Sequence, residues 1–138
     1  IVTGAVFDGA GAPTSVTVTD TRSTSYTVLL GTVIGNERTF IAYGIAPSSG
    51  ANTVTVAIAD SGNSNAMSYS IDEFSGVDTA TPLDVNGGGS TGTSGTASDA
   101  VTTGTAKFRV VTTATSYTES WTLGSSVLWT AQTASFRD

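Results

Sequence analysis

Apolar and polar positions alternate with a period of two along much of the chain. Val16 and Val18 alternate with Thr17 and Thr19, and the run closes in the polar cluster Asp20-Thr21-Arg22-Ser23. A period of two sends successive side chains to opposite faces of an extended backbone, so such a run reads as a strand with one buried face. Residues 26–30 resume the pattern and are expected to stop at Gly31. Residues 38–46 read as a buried strand ended by Pro47-Ser48-Ser49-Gly50-Ala51-Asn52, a strong turn signal. Val54, Val56 and Ile58 then point one way, while Thr53, Thr55 and Ala57 point the other. After Asp60-Ser61-Gly62-Asn63-Ser64-Asn65, the residues Met67, Tyr69 and Ile71 form one face of a further strand expected to run to Gly76. Residues 107–113, 117–123 and 127–137 supply three more.

Turn signals thus separate short strands at roughly 8–12 residue intervals, and no segment carries a 3.6-residue apolar stripe. The expected fold class is all-β: an antiparallel β-sandwich, Ig-like or jelly-roll, with little or no helix. At 138 residues the chain is expected to be a single sandwich domain spanning 1–138. Residues 86–106 stand apart. They contain Gly87-Gly88-Gly89 and alternating Ser, Thr and Gly, with almost no large apolar side chain. Such a segment buries too little surface to offset its ordering entropy unless it lies along a sheet, so a loop or a weak edge strand is expected at 86–106.

Composition strengthens the strand reading. The chain has 26 Thr and 18 Ser, one Lys and one Gln, and charged residues make up 12%. Helix surfaces are usually covered with Glu, Lys, Arg and Gln, whereas β-branched Thr suits a pleated surface. A net charge of −6 repels a phosphate backbone and an anionic membrane face, which disfavours nucleic acid as a partner. The apolar runs are too short to span a bilayer, so no membrane insertion is expected. Cysteine is absent and gives no information on compartment. The surface, poor in Lys and rich in Ser and Thr, points outside the cytoplasm, to an extracellular or virion surface. The chain opens at Ile1 within the pattern and is expected to be a processed or trimmed product.

The absence of His as well as Cys removes the usual general base, the usual zinc ligands and every Ser-His or Cys-His nucleophile. Paired carboxylates remain. Asp72 and Glu73 are neighbours, and adjacent residues of a strand face opposite ways, so they do not converge on one substrate without a bulge. No catalytic residue is assigned and no enzyme is expected. Oxygen-rich loops suit calcium, and Asp60, Asn63 and Asn65 are the candidate metal ligands, with Asp20 or Asp8 joining from neighbouring turns. Against that stands the ordinary use of Asp and Asn as turn formers, which explains each residue without a metal. Trp121, Trp129, Tyr43 and Tyr117, with Tyr69, are candidates for a ligand or partner surface, as a platform for sugar rings; large aromatics are more often core.

Several stretches taken together resemble a known module. Val16-Thr17-Val18-Thr19-Asp20-Thr21 followed by Ser25-Tyr26-Thr27 is similar to the VTVTDT…NTYT signature of an Ig-like or jelly-roll β-sandwich module of secreted bacterial surface proteins and phage structural proteins. Ala51-Asn52-Thr53-Val54-Thr55-Val56, Ile71-Asp72-Glu73-Phe74-Ser75-Gly76, Pro82-Leu83-Asp84-Val85 and Ser120-Trp121-Thr122-Leu123 extend the likeness over most of the chain outside the Gly-rich stretch. The resemblance implies a sandwich and leaves function open. That module usually has a strand before Ile1 and an apolar strand ahead of Lys107, and neither is visible. The expectation is an incomplete chain, or one whose neighbours supply edge pairing.

Two classes of function follow. The first is a non-catalytic structural or surface-display module in a homo-oligomer or larger assembly, such as a virion decoration, a fibre or a surface layer. The second is a carbohydrate-binding module stabilised by calcium. Residues 29–34 and 127–136 are the apolar segments that would meet other protein subunits.

Overall fold

The structure is a computed structural model that describes residues 1–59, 65–103 and 115–137. All the regular structure among them is strand, and every strand pairing is antiparallel. The chain is all-β, as the period-two pattern requires. Among the described residues ten strands follow one another. These are β1 (Val2–Asp8), β2 (Val16–Asp20), β3 (Thr27–Ile34), β4 (Glu37–Tyr43), β5 (Val54–Ile58), β6 (Asn65–Ile71), β7 (Leu83–Asn86), β8 (Ser90–Thr103), β9 (Thr115–Ala131) and β10 (Ala134–Phe136). They fall into two compact units, Ile1–Glu73 and Phe74–Asp138.

In the first unit a four-stranded sheet of order β3-β4-β1-β6 and a two-stranded sheet of β2 and β5 share one core. Val2 and Val6 of β1, Phe40 and Ala42 of β4, Val16 and Val18 of β2 and Val56 of β5 form the buried cluster. Tyr26, Val28, Leu30, Val54 and Ile58 pack around it. The alternation read from 16–19 and 53–58 is the cause. Val16 pairs with Ile58 and Val18 with Val56, so this face of the pair is apolar up to Asp20, which stands opposite Val54, while Thr17, Thr19 and Thr55 point to solvent. A two-layer core of this kind is compatible with a sandwich.

Several strand ends differ from the sequence pattern. The β3 strand does not stop at Gly31 but continues to Ile34 through a bulge, where the register slips between Leu30 and Val33. Arg38 supports the slip by donating from Nε to the Gly31 carbonyl at 3.1 Å and from Nη1 to the Pro13 carbonyl at 3.1 Å. The β3–β4 hairpin turns on Gly35 and Asn36, with Gly35 at φ +56°, in the first loop position where positive φ favours glycine. At its far end β4 stops at Tyr43, short of the expected residue 46, and β6 stops at Ile71 instead of running to Gly76. The β1 strand escaped the pattern because Thr3, Gly4 and Ala5 interrupt its apolar alternation.

In the second unit β7 pairs with β10 and β8 pairs with β9. Of the two forms expected for 86–106, the strand is the one adopted from Ser90 to Thr103. Its ladder with β9 is long enough to satisfy backbone groups that the small side chains cannot shelter. Residues 117–131 belong to one strand, β9, and the break expected between 123 and 127 is instead a register slip opposite Ser94 and Thr96. The expected strand at 107–113 lies outside the described residues.

Candidate interaction surface

The β6 strand is an edge of the four-stranded sheet, hydrogen-bonded to β1 along seven consecutive pairs without a slip, from Val2 opposite Ile71 to Asp8 opposite Asn65. Directly opposed residues of an antiparallel pair point to the same face. Ile71 therefore lies in one row with Val2, Ala42 and Val28; Tyr69 lies with Gly4, Phe40 and Leu30; Met67 lies with Val6, Arg38 and Val33. This is the core face of the sheet. Along each row the cover ends at β1. Val2 and Val6 are 1% exposed, whereas Met67, Tyr69 and Ile71 are 41%, 43% and 51% exposed. Among the described residues of the first unit, the two strands of the second sheet do not bury the full width of the four in the first, so an apolar face emerges exposed at β6.

Gly4 shapes this face. A Cβ at Gly4 would stand 2.8 Å from Cβ of Tyr69 and 2.9 Å from Cε1 of Phe40, and would collide with the Ser68 carbonyl. The absent side chain lets Tyr69 and the Phe40 ring approach each other over the β1 backbone. On the opposite face Thr3 and Ser70 hydroxyls bond at 2.9 Å, which ties β6 to β1 through a side-chain contact as well as the ladder.

Of the candidate metal ligands, Asp60 and Asn63 lie outside the described residues; Asn65 begins β6 with its backbone opposite Asp8, and its side chain is likewise outside. Asp8 is buried and its Oδ1 accepts from the Ala10 N–H at 2.9 Å. Asp20 is occupied by protein donors. Its Oδ1 accepts from the N–H groups of Arg22 at 3.0 Å and Thr24 at 2.9 Å. Its Oδ2 accepts from Asn52 Nδ2 at 2.8 Å and the Tyr26 hydroxyl at 3.1 Å. Partial burial pushes the Asp20 carboxyl up, but the hydrogen bonds from Thr24, Asn52 and Arg22 outweigh it and hold the group well below the usual carboxylate range. Burial, with the Asp20 contact, raises the Tyr26 hydroxyl. Among the described residues no group of three or more acidic side chains is placed to hold a metal ion.

Of the candidate aromatic residues, Tyr43 closes β4 opposite Thr27 and is half-buried. Tyr117, Trp121 and Trp129 sit in β9 with backbones opposite Val101, Ala97 and Gly92, and their side chains lie outside the described residues. Asp72 and Glu73 follow β6 and are exposed; the Asp72 N–H donates to the Ile1 carbonyl at 2.8 Å. In the second unit the carboxylates also serve structure. Asp84 accepts from Arg137 Nε and from the buried Ser135 hydroxyl, both at 3.2 Å. Asp78 accepts from the Thr81 hydroxyl at 2.7 Å and the Ala80 N–H at 2.8 Å, and these bonds lower its pKa. The exposed row on β6 was visible in the sequence as an alternating face. Its exposure was not, because that depends on how far a second sheet extends.

Comparison with protein-family models, curated proteins and solved structures returns no match. Among the described residues no helix is long and apolar enough to cross a membrane.

Proposed function

We propose that the chain is a non-catalytic structural or surface-display module of an extracellular or virion assembly, such as a decoration, fibre or surface-layer subunit. The observation that carries this reading is the exposed apolar row of Met67, Tyr69 and Ile71, which continues a core face beyond its cover. Contiguous apolar surface of this kind marks contact with another protein. The chemistry of the chain supports the same reading. It has no His or Cys, and Asp20, Asp78 and Asp84 are engaged in hydrogen bonds that hold turns and strand ends together. The similarity of its turn and strand motifs to modules of secreted bacterial and phage structural proteins points the same way.

Native mass spectrometry tests the proposal against the 13.8 kDa of a single chain. Species at integer multiples of that mass are the expected result. A chain that stays single, and whose migration in affinity electrophoresis is retarded by a soluble polysaccharide, would overturn it in favour of carbohydrate binding.

A further inference from the structure

The two edges of the four-stranded sheet are built differently. The β3 edge is interrupted by the bulge between Leu30 and Val33, and bulges are one of the devices by which proteins prevent unwanted strand addition. The β6 edge carries no bulge, no proline and no charged side chain within the strand. Its sequence, Asn65-Ala66-Met67-Ser68-Tyr69-Ser70-Ile71, holds no Lys, no Pro and no Asp or Glu, and its register with β1 is regular throughout. In a chain of net charge −6 this is an uncharged segment, so pairing two copies of it sets no like charges opposite each other within the strand. It is also self-complementary. Turned antiparallel about a two-fold axis through Tyr69, the strand sets Met67 opposite Ile71 of a second copy, Tyr69 opposite Tyr69 and Ser68 opposite Ser70. Each apolar side chain on the core face then meets an apolar partner, and the flanking Asp72 and Glu73 meet Ala66 and Asn65 instead of each other.

We infer that β6 is a homotypic docking edge, at which two copies of the chain pair their β6 strands antiparallel about Tyr69 and join two four-stranded sheets into one. This deepens the assembly reading and rests on it. The partner is a second copy of this chain; its backbone satisfies the open ladder and its Met67, Tyr69 and Ile71 cover their counterparts. Three half-exposed side chains present on the order of a few hundred Å² per copy, against ~800 Å² per partner in a stable dimer. Pairing of two free copies is therefore weak and concentration-dependent, and is strengthened where other contacts already gather the subunits.

Single thiols test the register, since the chain contains no cysteine. A Ser68→Cys protein is mixed with an isotopically labelled Ser70→Cys protein and treated with diamide, and the products are weighed. The pairing places residue 68 of one copy directly opposite residue 70 of the other, within the Cα separation a disulfide spans, whereas like positions are offset by two residues along the strand and fall outside it. The expected result is a mixed disulfide at least ~10-fold in excess of either homodimer and of a Thr19→Cys control on the outer face of β2, given the effective concentration that docking supplies. In parallel, Ile71→Lys sets a charge opposite Met67 and is expected to move the midpoint of self-association in sedimentation equilibrium at least ~10-fold higher in concentration. Its circular dichroism spectrum, unchanged from that of the parent protein, reports an intact fold. Mixed disulfide no greater than control, homodimers in excess, or a parent chain that stays single at every concentration would each overturn the inference. Multimers that persist in Ile71→Lys without the mixed disulfide would overturn the β6 pairing and leave the assembly reading standing. A chain that stays single and binds polysaccharide removes both.

Discussion

Gly4 and Phe40 stand opposite each other on the core face of the first unit, one because it has no side chain and the other because its ring fills the space so left. Truncating the 1%-exposed ring opens a cavity, and Phe40→Ala is expected to lower the free energy of unfolding by about 3–5 kcal/mol in urea titration. Gly4→Ala errs the other way. It drives a methyl into Phe40, Tyr69 and the Ser68 carbonyl, with an expected cost of about 1–3 kcal/mol by the same measurement. Asp20 predicts a pH effect. Its folded pKa lies below the ordinary 3.8, so the folded state holds on to its charge more strongly than the unfolded chain. The stability this supplies is complete above about pH 4 and is lost as the pH falls from there through the folded value. Thermal melts of Asp20→Asn are therefore expected to show a lower Tm than the parent at neutral pH, and a shallower fall with acid below pH 4. Asp20 was legible in the sequence as a turn former. That its carboxylate also receives Asn52 and Tyr26 was not, since those partners reach it only through folding.

Among the elements, the turn after β2 and the segment before β5 are tied by one guanidinium. Arg22 donates from Nε to the Ser48 carbonyl at 3.0 Å, from Nη1 to the Ala51 carbonyl at 3.2 Å, and from Nη2 to the Ser48 hydroxyl and the Ser49 carbonyl. The fixed fork of donors holds a loop that has no strand partner of its own there. Removing it in Arg22→Ala is expected to cost about 1–2 kcal/mol, with faster amide exchange in the 48–53 segment as the local readout. Strict alternation in the sequence marks β2 and β5, whereas the strand ends carry no such signal. Gly31 looked like a stop because glycine usually punctuates a strand. A donor supplied by Arg38, seven residues away, accommodates the bulge instead and lets β3 continue.

For the molecule as a whole, a net charge of −6 opposes any meeting of two copies, while β6 offers an uncharged edge for it. Added salt screens the first and leaves the second untouched, because strand pairing is made of backbone hydrogen bonds and apolar contact. Self-association is accordingly expected to strengthen between about 0.01 and 0.5 M sodium chloride, read as a falling apparent Kd in sedimentation equilibrium; an association that weakens with salt would point to ion pairs in its place. The all-β class, the inward faces of β2 and β5, and the absence of imidazole and thiol chemistry were decided by residue type and period alone, since alternation acts between near neighbours in the chain. Which face stays open was decided by tertiary structure. Met67, Tyr69 and Ile71 carry the same pattern as the buried valines of β2, and they differ in that, among the described residues of the first unit, the β2–β5 layer does not bury them, which is a property of strands distant in sequence and of how many of them pair.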